Sequence, residues 1–539
     1  MRLRLISSSP AGERRRPIDR MLEISGHGLT LEAFARVTEG GATVTLAVAA
    51  RERVERGRCA IEEILGRDEP VYGVNTGFGL LASRRIPEEQ LAELQRRLLL
   101  SHAAGVGRPL RPATVRGMLL LRANALAQGH SGVRPEVIDR LLELLNLDLL
   151  PVVPSRGSVG ASGDLAPLAH LALPLIGMGS VSAARVAGAG GLSAGAGREE
   201  QPAAEALGKA GLEPLTLEAK EGLALINGTQ AMTTLLALGA LSARRQTKIA
   251  DLIGALSTDA IRGTDSGFDP RVHRLRPHPG QEASARNLWA LFQGSAIRES
   301  HRVDDPRVQD PYSFRCMPQV HGAVRDVLAD VVRKLDIEMN SVTDNPLVFP
   351  DQDGEAQVIS GGNFHGEPMA LAADFLSIAV AELGSISERR IEQLTDPKFS
   401  DLPAFLVENS GLNSGFMIAH VAAAALASEN KTLCYPASVD SIPTSAGQED
   451  HVSMGMGAAL KLGRVLDNTL QILAIELLAA CQGIEFRRPL KTSPALEKVY
   501  RDVRATIPPW TENRVMADDL KAALEFLRSG VEPHLERLS

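Results

Sequence analysis

The sequence predicts a mainly α-helical protein with minor β-structure, and three observations support this prediction. Apolar residues recur at helical spacing, as Leu91, Leu94 and Leu98 do. Residues 455–483 are apolar on nearly every side, which is typical of a core helix that other helices enclose. Strand signals are few, and they are Thr43–Leu46 and short runs near Val348 and Val358.

Further segments follow the same helical spacing in chain order. They contain Leu371, Phe375 and Ile378, and then Leu466, Leu470, Leu473 and Leu477 inside the predicted core helix. An earlier apolar stretch, residues 165–184, has no charged side chain and is about long enough to span a bilayer. Because Pro167 and Pro174 interrupt it, the sequence predicts a buried, broken helix there.

The composition is that of an ordinary globular protein. Hydrophobic residues make up 44% and charged residues 23% of the 539 residues, which excludes disordered and collagen-like classes. The formal net charge of -7 gives no general attraction for nucleic acid or anionic lipid, so small molecules and other subunits are the expected partners. The four cysteines are scattered without a Cys-x-x-Cys pair, and we therefore expect a cytoplasmic protein.

The stretch GSVGASGDLAPLAH, residues 157–170, concentrates small residues around Ala161-Ser162-Gly163. If the Gly163 nitrogen attacks the Ala161 carbonyl, a five-membered ring closes, and loss of water there and from Ser162 leaves an electron-poor alkene. Gly163 has no Cβ to block its nitrogen, Ala161 is small, and the β-hydroxyl of Ser162 can be eliminated. The tripeptide alone is ordinarily a turn, so both interpretations stay open on this stretch.

Six further segments support the chemical interpretation. In chain order they are YGVNTGFG from Tyr72, SHAAG from Ser101, INGTQ from Ile226, VQDPYSFRC from Val308, GGNFH from Gly361 and TSAGQEDH from Thr444. With residues 157–168 they resemble the ammonia-lyase family whose electrophile is 4-methylideneimidazol-5-one (MIO), most closely its members that act on histidine. The matching segments span about residues 70–460 of this sequence, in family order.

The resemblance implies a long-helix bundle of the histidase/aspartase-like type. It implies an N-terminal MIO-bearing domain at residues 21–235 and a helical core with C-terminal helices at 236–539. Residues 1–20 contain arginines and no unbroken apolar segment, and they are expected to form a loose N-terminal tail. Residues 183–200, rich in Gly and Ala, are expected to form a flexible loop inside the N-terminal domain. The family is tetrameric with active sites built from several subunits, so a homotetramer is expected.

The resemblance also implies the catalytic group. MIO would form from Ala161, Ser162 and Gly163 with no diffusible cofactor, because ordinary side chains offer no strong electrophile for breaking a C–N bond. Tyr72 matches the family's catalytic tyrosine and is the candidate base for the substrate β-hydrogen.

Five more positions match residues that contact the substrate or the ring. Arg315 is expected to hold the substrate carboxylate bidentately, which a planar guanidinium does better than an ammonium. Tyr312, expected among the catalytic residues, and Gln309 belong to the same segment. Asn227 matches a residue at the substrate amine, and Phe364 would line the pocket.

Two residues indicate the substrate. His102 can exchange hydrogen bonds with an imidazole, and Glu449, also expected among the catalytic residues, can accept one or balance its charge. The expected reaction is elimination of ammonia from L-histidine to give trans-urocanate, the first step of histidine degradation. A tyrosine or phenylalanine lyase and a 2,3-aminomutase are alternatives on the same scaffold, and a non-catalytic helical assembly protein is another.

Other classes fit the sequence less well. A fumarase-type lyase would carry a Gly-Ser-Ser-x-Met-Pro-x-Lys loop, which the sequence lacks. The closest histidine pair, His273 and His278, has no matching Cys or carboxylate spacing, so no metal site is expected. The glycine-rich segment at Tyr72 lacks a P-loop lysine, which argues against a nucleotide site.

Overall fold

The computed structural model describes residues 21–67, 70–77, 84–184, 198–305, 307–350 and 356–539. The predicted tail at residues 1–20 lies outside these ranges. The described chain consists mainly of helices with short strands, which confirms the predicted fold class.

The chain divides into two compact units. The first comprises residues 1–157, 166–227 and 340–363, and the second comprises residues 158–165, 228–339 and 364–539. Each unit is therefore assembled from separate stretches of the chain. The division at residues 235 and 236 that the family resemblance implies stays a prediction.

The first unit contains the described strands and the shorter helices. Its strands are β1 (Met21–Ile24), β2 (Thr43–Leu46), β3 (Val106–Pro109), β4 (Leu150–Pro151), β5 (Pro154–Arg156), β6 (Ser180–Ala184), β7 (Arg198–Pro202), β8 (Leu347–Phe349) and β9 (Gln357–Ile359). Its helices are α1 (Leu31–Thr38), α2 (Val48–Leu65), α3 (Leu91–His102), α4 (Pro112–Leu126), α5 (Pro135–Asn146), α6 (Leu165–Ala172, except its first residue), α7 (Ala203–Lys209) and α8 (Glu221–Ile226).

The strands form small separate sheets. β1 pairs with β2 in parallel, whereas β3 with β5 and β8 with β9 form antiparallel pairs. β4, β6 and β7 form a three-stranded antiparallel sheet. The predicted strands at Thr43–Leu46 and near Val348 and Val358 are confirmed as β2, β8 and β9.

The predicted flexible loop at residues 183–200 is paired at both ends. Ala183 lies opposite Glu199 in the β6–β7 ladder, and the Arg198 guanidinium donates to Ser182 Oγ at 3.0 Å and Asp148 Oδ2 at 2.6 Å. The Gly- and Ala-rich composition of this segment did not predict these cross-strand contacts. The middle of the segment, residues 185–197, lies outside the described residues.

The apolar stretch is a broken, largely buried helix over residues 165–176, as the sequence predicts, but residues 180–184 form strand β6, so the prediction of helix up to residue 184 is wrong. α6 ends at Ala172 and a 3-10 turn, Leu173–Ile176, follows with Pro174 near its start. Gly177 then adopts a left-handed conformation with φ of 71°, which ends the helical segment.

The second unit is built on long helices. They are α9 (Gln230–Ala260), α10 (Pro270–Arg274), α11 (Pro279–Phe292), α12 (Ala296–Glu299), α13 (Tyr312–Arg315), α14 (Met317–Glu338), α15 (Glu367–Thr395), α16 (Pro397–Ser400), α17 (Met417–Leu433), α18 (Gly455–Glu485), α19 (Pro494–Arg504), α20 (Met516–Glu525) and α21 (Glu532–Leu535). α18 packs against α9, α15 and α17, and α14 packs against α9, α11 and α15. The predicted core helix at residues 455–483 is therefore confirmed as α18.

Two of these helices, α15 and α18, are long and apolar enough to cross a membrane. Of the most apolar part of each, 67% and 89% respectively is buried within the protein, as in the core helices of globular proteins.

A buried ion pair and the hydroxyls that bond to it join three of the long helices. Arg390 on α15 forks onto the Glu476 carboxylate of α18 at 2.5 and 2.8 Å, and both side chains are fully buried. Ser257 Oγ of α9 and Ser387 Oγ of α15 donate to the same carboxylate at 2.7 and 2.5 Å. The carboxylate is thus well supplied with donors, which fixes how α9, α15 and α18 meet.

We predict that Glu476→Gln lowers the free energy of unfolding by about 3–5 kcal/mol, because it leaves the Arg390 guanidinium buried without its counter-charge. Chemical denaturation followed by circular dichroism measures this. Glu205→Gln is the control: it removes an exposed ion pair with Lys209 and should cost at most about 1 kcal/mol. Equal losses in both variants would contradict the role assigned to Glu476.

Candidate active site

The tripeptide Ala161-Ser162-Gly163 lies in a loop of the second unit that is fixed by backbone contacts. Met454 N, just before α18, donates to Val159 O at 2.8 Å, and Ser453 Oγ donates to Gly160 O at 3.1 Å. Gly160 has φ of 70°, and a Cβ there would lie 2.2 Å from Ser453 Oγ. The loop is therefore pressed against the start of the core helix.

Gly163 contacts the backbone just before α9. It forms a parallel bridge with Gly228, and the next residue, Asp164, donates its N–H to Gly228 O at 2.7 Å. A Cβ on Gly163 would lie 2.1 Å from Gly228 O, and its φ is 72°. Only glycine fits this position, on grounds of both space and backbone conformation.

The Asp164 carboxylate holds the loop from inside. It is fully buried and accepts hydrogen bonds from Ser158 Oγ at 3.0 Å and from Met232 N, in the first turn of α9, at 2.8 Å. Burial raises the pKa of Asp164 to about 6, and these hydrogen bonds offset part of that rise.

The Ser162 hydroxyl points to Glu449. Ser162 Oγ donates to Glu449 Oε1 at 3.0 Å, and Thr444 Oγ1 donates to Glu449 Oε2 at 2.6 Å. Ser445 and Ala446 between them have φ of 54° and 55°, which is strained for residues with a side chain. A tight loop with left-handed backbone therefore presents Glu449 to the tripeptide.

This geometry fits the chemistry that the sequence suggests for the tripeptide. Ala161 is buried, the Gly163 nitrogen is unobstructed by a side chain, and the β-hydroxyl of Ser162 has a carboxylate within hydrogen-bonding distance. The described residues are thus compatible with an MIO group formed at Ala161-Ser162-Gly163.

Gln309, Tyr312 and Arg315 lie together at another place in the second unit. Arg315 Nη2 donates to Gln309 Oε1 at 2.9 Å, and Arg315 Nε donates to Asp310 O at 3.0 Å. The Arg315 guanidinium carbon lies 4.5 Å from the centroid of the Tyr312 ring, a cation–π distance. Tyr312 is 70% exposed, so this cluster faces outward from the isolated chain.

Phe364 is half-buried and lies three residues before α15. It belongs to the same unit as the tripeptide, as does Glu449.

Tyr72, His102 and Asn227 belong to the first unit. Tyr72 lies in a turn that Val71 and Asn75 close, since Val71 N donates to Asn75 Oδ1 at 2.7 Å. A Cβ on Gly73 would lie 2.8 Å from Leu223 on α8, so this turn packs closely against the helix that ends before Asn227.

Asn227 caps α8 and is held by a buried arginine. Its carbonyl accepts from Arg122 Nη1 at 2.7 Å, and Arg122 is fully buried. Asn227 Oδ1 is buried and has no hydrogen-bond partner among the described residues. The side-chain oxygen of a predicted substrate residue is thus left free to bind a donor.

His102 is the last residue of α3, and its contacts determine its tautomer. Nδ1 lies 2.9 Å from Leu98 O, an acceptor only, so Nδ1 carries the hydrogen and Nε2 is the acceptor. Ser101 Oγ lies 3.1 Å from the same nitrogen. His102 can therefore accept a hydrogen bond from an imidazole N–H.

Gln95 connects α3 to α8, and no motif or spacing in the sequence indicates this role. Its side-chain Oε1 accepts from Gly222 N at 2.9 Å and Leu223 N at 3.3 Å, the free N–H groups in the first turn of α8. Because His102 ends α3 and Asn227 ends α8, this buried glutamine fixes the two helices that carry them.

Sequence reasoning also missed Thr444, whose contact to Glu449 is local, and Arg122 and Ser453, whose contacts come from distant parts of the chain. The role of Asp164 was missed as well, although its position directly after the tripeptide could have indicated it.

Comparisons with known proteins decide the family. A family model described as aromatic amino acid lyase matches residues 29–505. The histidine ammonia-lyase of Deinococcus radiodurans is 54% identical over 502 residues, which cover 93% of this chain and 93% of that protein. The chain belongs to the aromatic amino acid lyase family. It is accordingly a carbon–nitrogen lyase.

Solved structures of family members have the same fold as this chain. The histidine ammonia-lyase from Trypanosoma cruzi has a TM-score of 0.85 at 46% identity, with 96% of each chain covered. The tyrosine aminomutase from Streptomyces globisporus has a TM-score of 0.87 at 39% identity, with 96% of this chain and 99% of that one covered. Within this family, the backbone alone does not separate ammonia-lyase from aminomutase.

We predict a pH-dependent contribution of Asp164 to stability. The folded pKa of Asp164, about 6, exceeds its ordinary value of 3.8, so the folded state favours the protonated carboxyl. The resulting contribution to the free energy of unfolding is present in full below pH 3.8 and is lost as pH rises through 6. The difference in unfolding free energy between the unchanged protein and Asp164→Asn should therefore shift by about 1 kcal/mol in favour of the unchanged protein between pH 7 and pH 5. Denaturant titrations at both pH values measure it, and parallel profiles would refute the assignment.

Proposed function

We propose that this chain is a histidine ammonia-lyase that converts L-histidine to trans-urocanate and ammonia, the first step of histidine degradation. The observation that carries the proposal is the contact of Ser162 Oγ with Glu449 Oε1, made where Gly163 is pressed against Gly228. This contact joins Ser162, the candidate precursor of the electrophile, to Glu449, which the family resemblance assigns to imidazole recognition.

An MIO group at Ala161-Ser162-Gly163 would supply an electron-poor alkene, which favours departure of the substrate amine. The chain's part is to hold this segment rigid. Its backbone contacts to Gly228, Ser453 and Met454 keep the tripeptide in one conformation.

The other residues would position the substrate and move its protons. Tyr72 Oη would take the β-hydrogen as a proton while the electrons of the C–N bond leave with ammonia. Arg315, whose guanidinium plane is fixed by Gln309 and Asp310, would bind the substrate carboxylate. Asn227 Oδ1 would accept from the substrate amine, and Phe364 would pack against the ring. Tyr312, whose ring lies against the Arg315 guanidinium, would help to orient that guanidinium.

Two residues support histidine as the substrate. His102 Nε2 is an acceptor for an imidazole N–H, and Glu449 is a second acceptor that can balance an imidazolium charge. The relatives named histidine ammonia-lyase agree with this choice. A phenylalanine substrate would leave these polar groups unpaired.

We include a homotetramer and a cytoplasmic location in the proposal. Leu371, Phe375 and Ile378 on α15 are 52%, 45% and 44% exposed, although they share one helix face. An exposed apolar stripe of this kind is typical of a subunit interface. The free thiols of all four cysteines suit a reducing compartment.

We predict that Ser162→Ala reduces histidine turnover by at least about 1,000-fold, equal to roughly 4 kcal/mol of transition-state stabilisation, with the fold preserved. The change removes the hydroxyl whose loss creates the alkene. Urocanate formation followed by ultraviolet absorbance, together with circular dichroism, measures both effects. Ser445→Ala, which removes an exposed hydroxyl on the Glu449 loop, is the control and should keep turnover; undiminished turnover in Ser162→Ala would end the proposal.

We predict that His102→Leu lowers kcat/KM for histidine by roughly 10- to 100-fold, because the substrate imidazole loses one hydrogen-bond partner. Unfolding midpoints should change little, since His102 is only partly buried. Rates with histidine, tyrosine and phenylalanine give the selectivity, and the exposed His27→Leu is the matched control. If His102→Leu keeps the selectivity of the unchanged protein, His102 does not recognise the imidazole.

A further inference from the structure

The segments that contain Phe364 and Glu449 also bring together His365, Glu367 and His451. One potential ligand atom from each side chain lies within 4.8 Å of the other two. The sequence did not reveal this cluster, because His451 is far along the chain from the other two. None of the three side chains has a role in the proposed reaction.

Among the described residues, the His365 imidazole is held by long hydrogen bonds. Its Nδ1 accepts from Glu367 N at 3.4 Å, and its Nε2 lies 3.3 Å from His451 O. The ring centroids of His365 and His451 are 5.7 Å apart, and the planes are inclined by 32°. Since bonds of this length are weak, a small rotation of either ring costs little.

Glu367 contributes a carboxylate oxygen that lacks a partner. Oε2 is buried and makes no hydrogen bond among the described residues. Glu367 is the first residue of α15. A buried oxygen without a donor is unfavourable, and a cation in contact with it would remove that penalty.

The geometry points to a binding site for one divalent transition-metal ion of the zinc class at His365, Glu367 and His451. Two imidazole nitrogens and one carboxylate oxygen suit Zn²⁺ or Co²⁺ better than Mg²⁺ or Ca²⁺, which prefer oxygen ligands. Three protein ligands leave a fourth position for water. Metal–ligand bonds of about 2.0–2.2 Å place ligand atoms roughly 3.3 Å apart, so ligand atoms that now lie up to 4.8 Å apart must approach one another by up to about 1.5 Å.

The bound ion would connect two parts of the second unit. His451 precedes the buried Val452 and Ser453, and the latter bonds to Gly160 O. Glu367 is the first residue of α15, and His365 lies two residues before it. The metal therefore ties the loop that presents Glu449 to the N-terminus of α15, next to the tripeptide segment.

The test uses the full-length protein without an affinity tag, stripped with a chelator and titrated with CoCl₂ and ZnCl₂. We expect one Co²⁺ per chain with visible d–d absorption bands, displaced by Zn²⁺. Zinc should also slow amide hydrogen exchange in residues 444–451. These readouts are independent of lyase activity, so they separate failure of this site from failure of the proposed function.

Variants assign the ligands. His365→Ala and His451→Ala should each weaken Co²⁺ binding at least about tenfold, and Glu367→Gln should weaken it without changing side-chain size. His278→Ala, which removes an exposed histidine outside the cluster, should bind as the unchanged protein does. Circular dichroism establishes that each variant is folded. Absence of Co²⁺ binding, or equal binding in the His365→Ala, His451→Ala and His278→Ala variants, would overturn the site.

Discussion

Contact between two stretches of backbone is the constraint on which the rest of the site depends. Gly163 approaches Gly228 so closely that a single added carbon would overlap its carbonyl oxygen. Asp164, Gly160 and Ser453 then hold the two sides of the tripeptide to the starts of α9 and α18. The Ser162 hydroxyl is consequently fixed against Glu449, rather than free to rotate on a surface turn.

Buried polar groups give each unit its precision. In the second unit, Glu476 and Arg390 set how the long helices meet, and those helices carry the ends to which the tripeptide loop is attached. In the first unit, Gln95 and Arg122 perform the equivalent task for α3, which ends in His102, and for α8, which Asn227 caps. Such groups specify one arrangement because any other would leave a charge or an amide unpaired.

The sequence predicted those elements of the fold that local residue patterns determine. Helical spacing identified the core helix α18, a strand signal identified β2, and proline marked the break after α6. Motif resemblance placed the family and the candidate site residues, of which the structure gathers Gln309, Tyr312 and Arg315 into one cluster.

What the sequence could not supply depends on residues distant in the chain. The β6–β7 pairing across a Gly/Ala-rich segment arises from cross-strand partners, and Gln95 reaches α8 from a helix more than a hundred residues earlier. The cluster of His365, Glu367 and His451 arises in the same way. No spacing rule applies to such contacts, because folding alone brings the partners together.

The central claim is that the chain converts Ala161-Ser162-Gly163 into its own electrophile, and the most direct measurement is mass spectrometry of the peptide that contains these residues. The account predicts that this peptide, taken from the folded protein, is lighter than its sequence mass by two water molecules. A peptide at the full sequence mass would contradict the account.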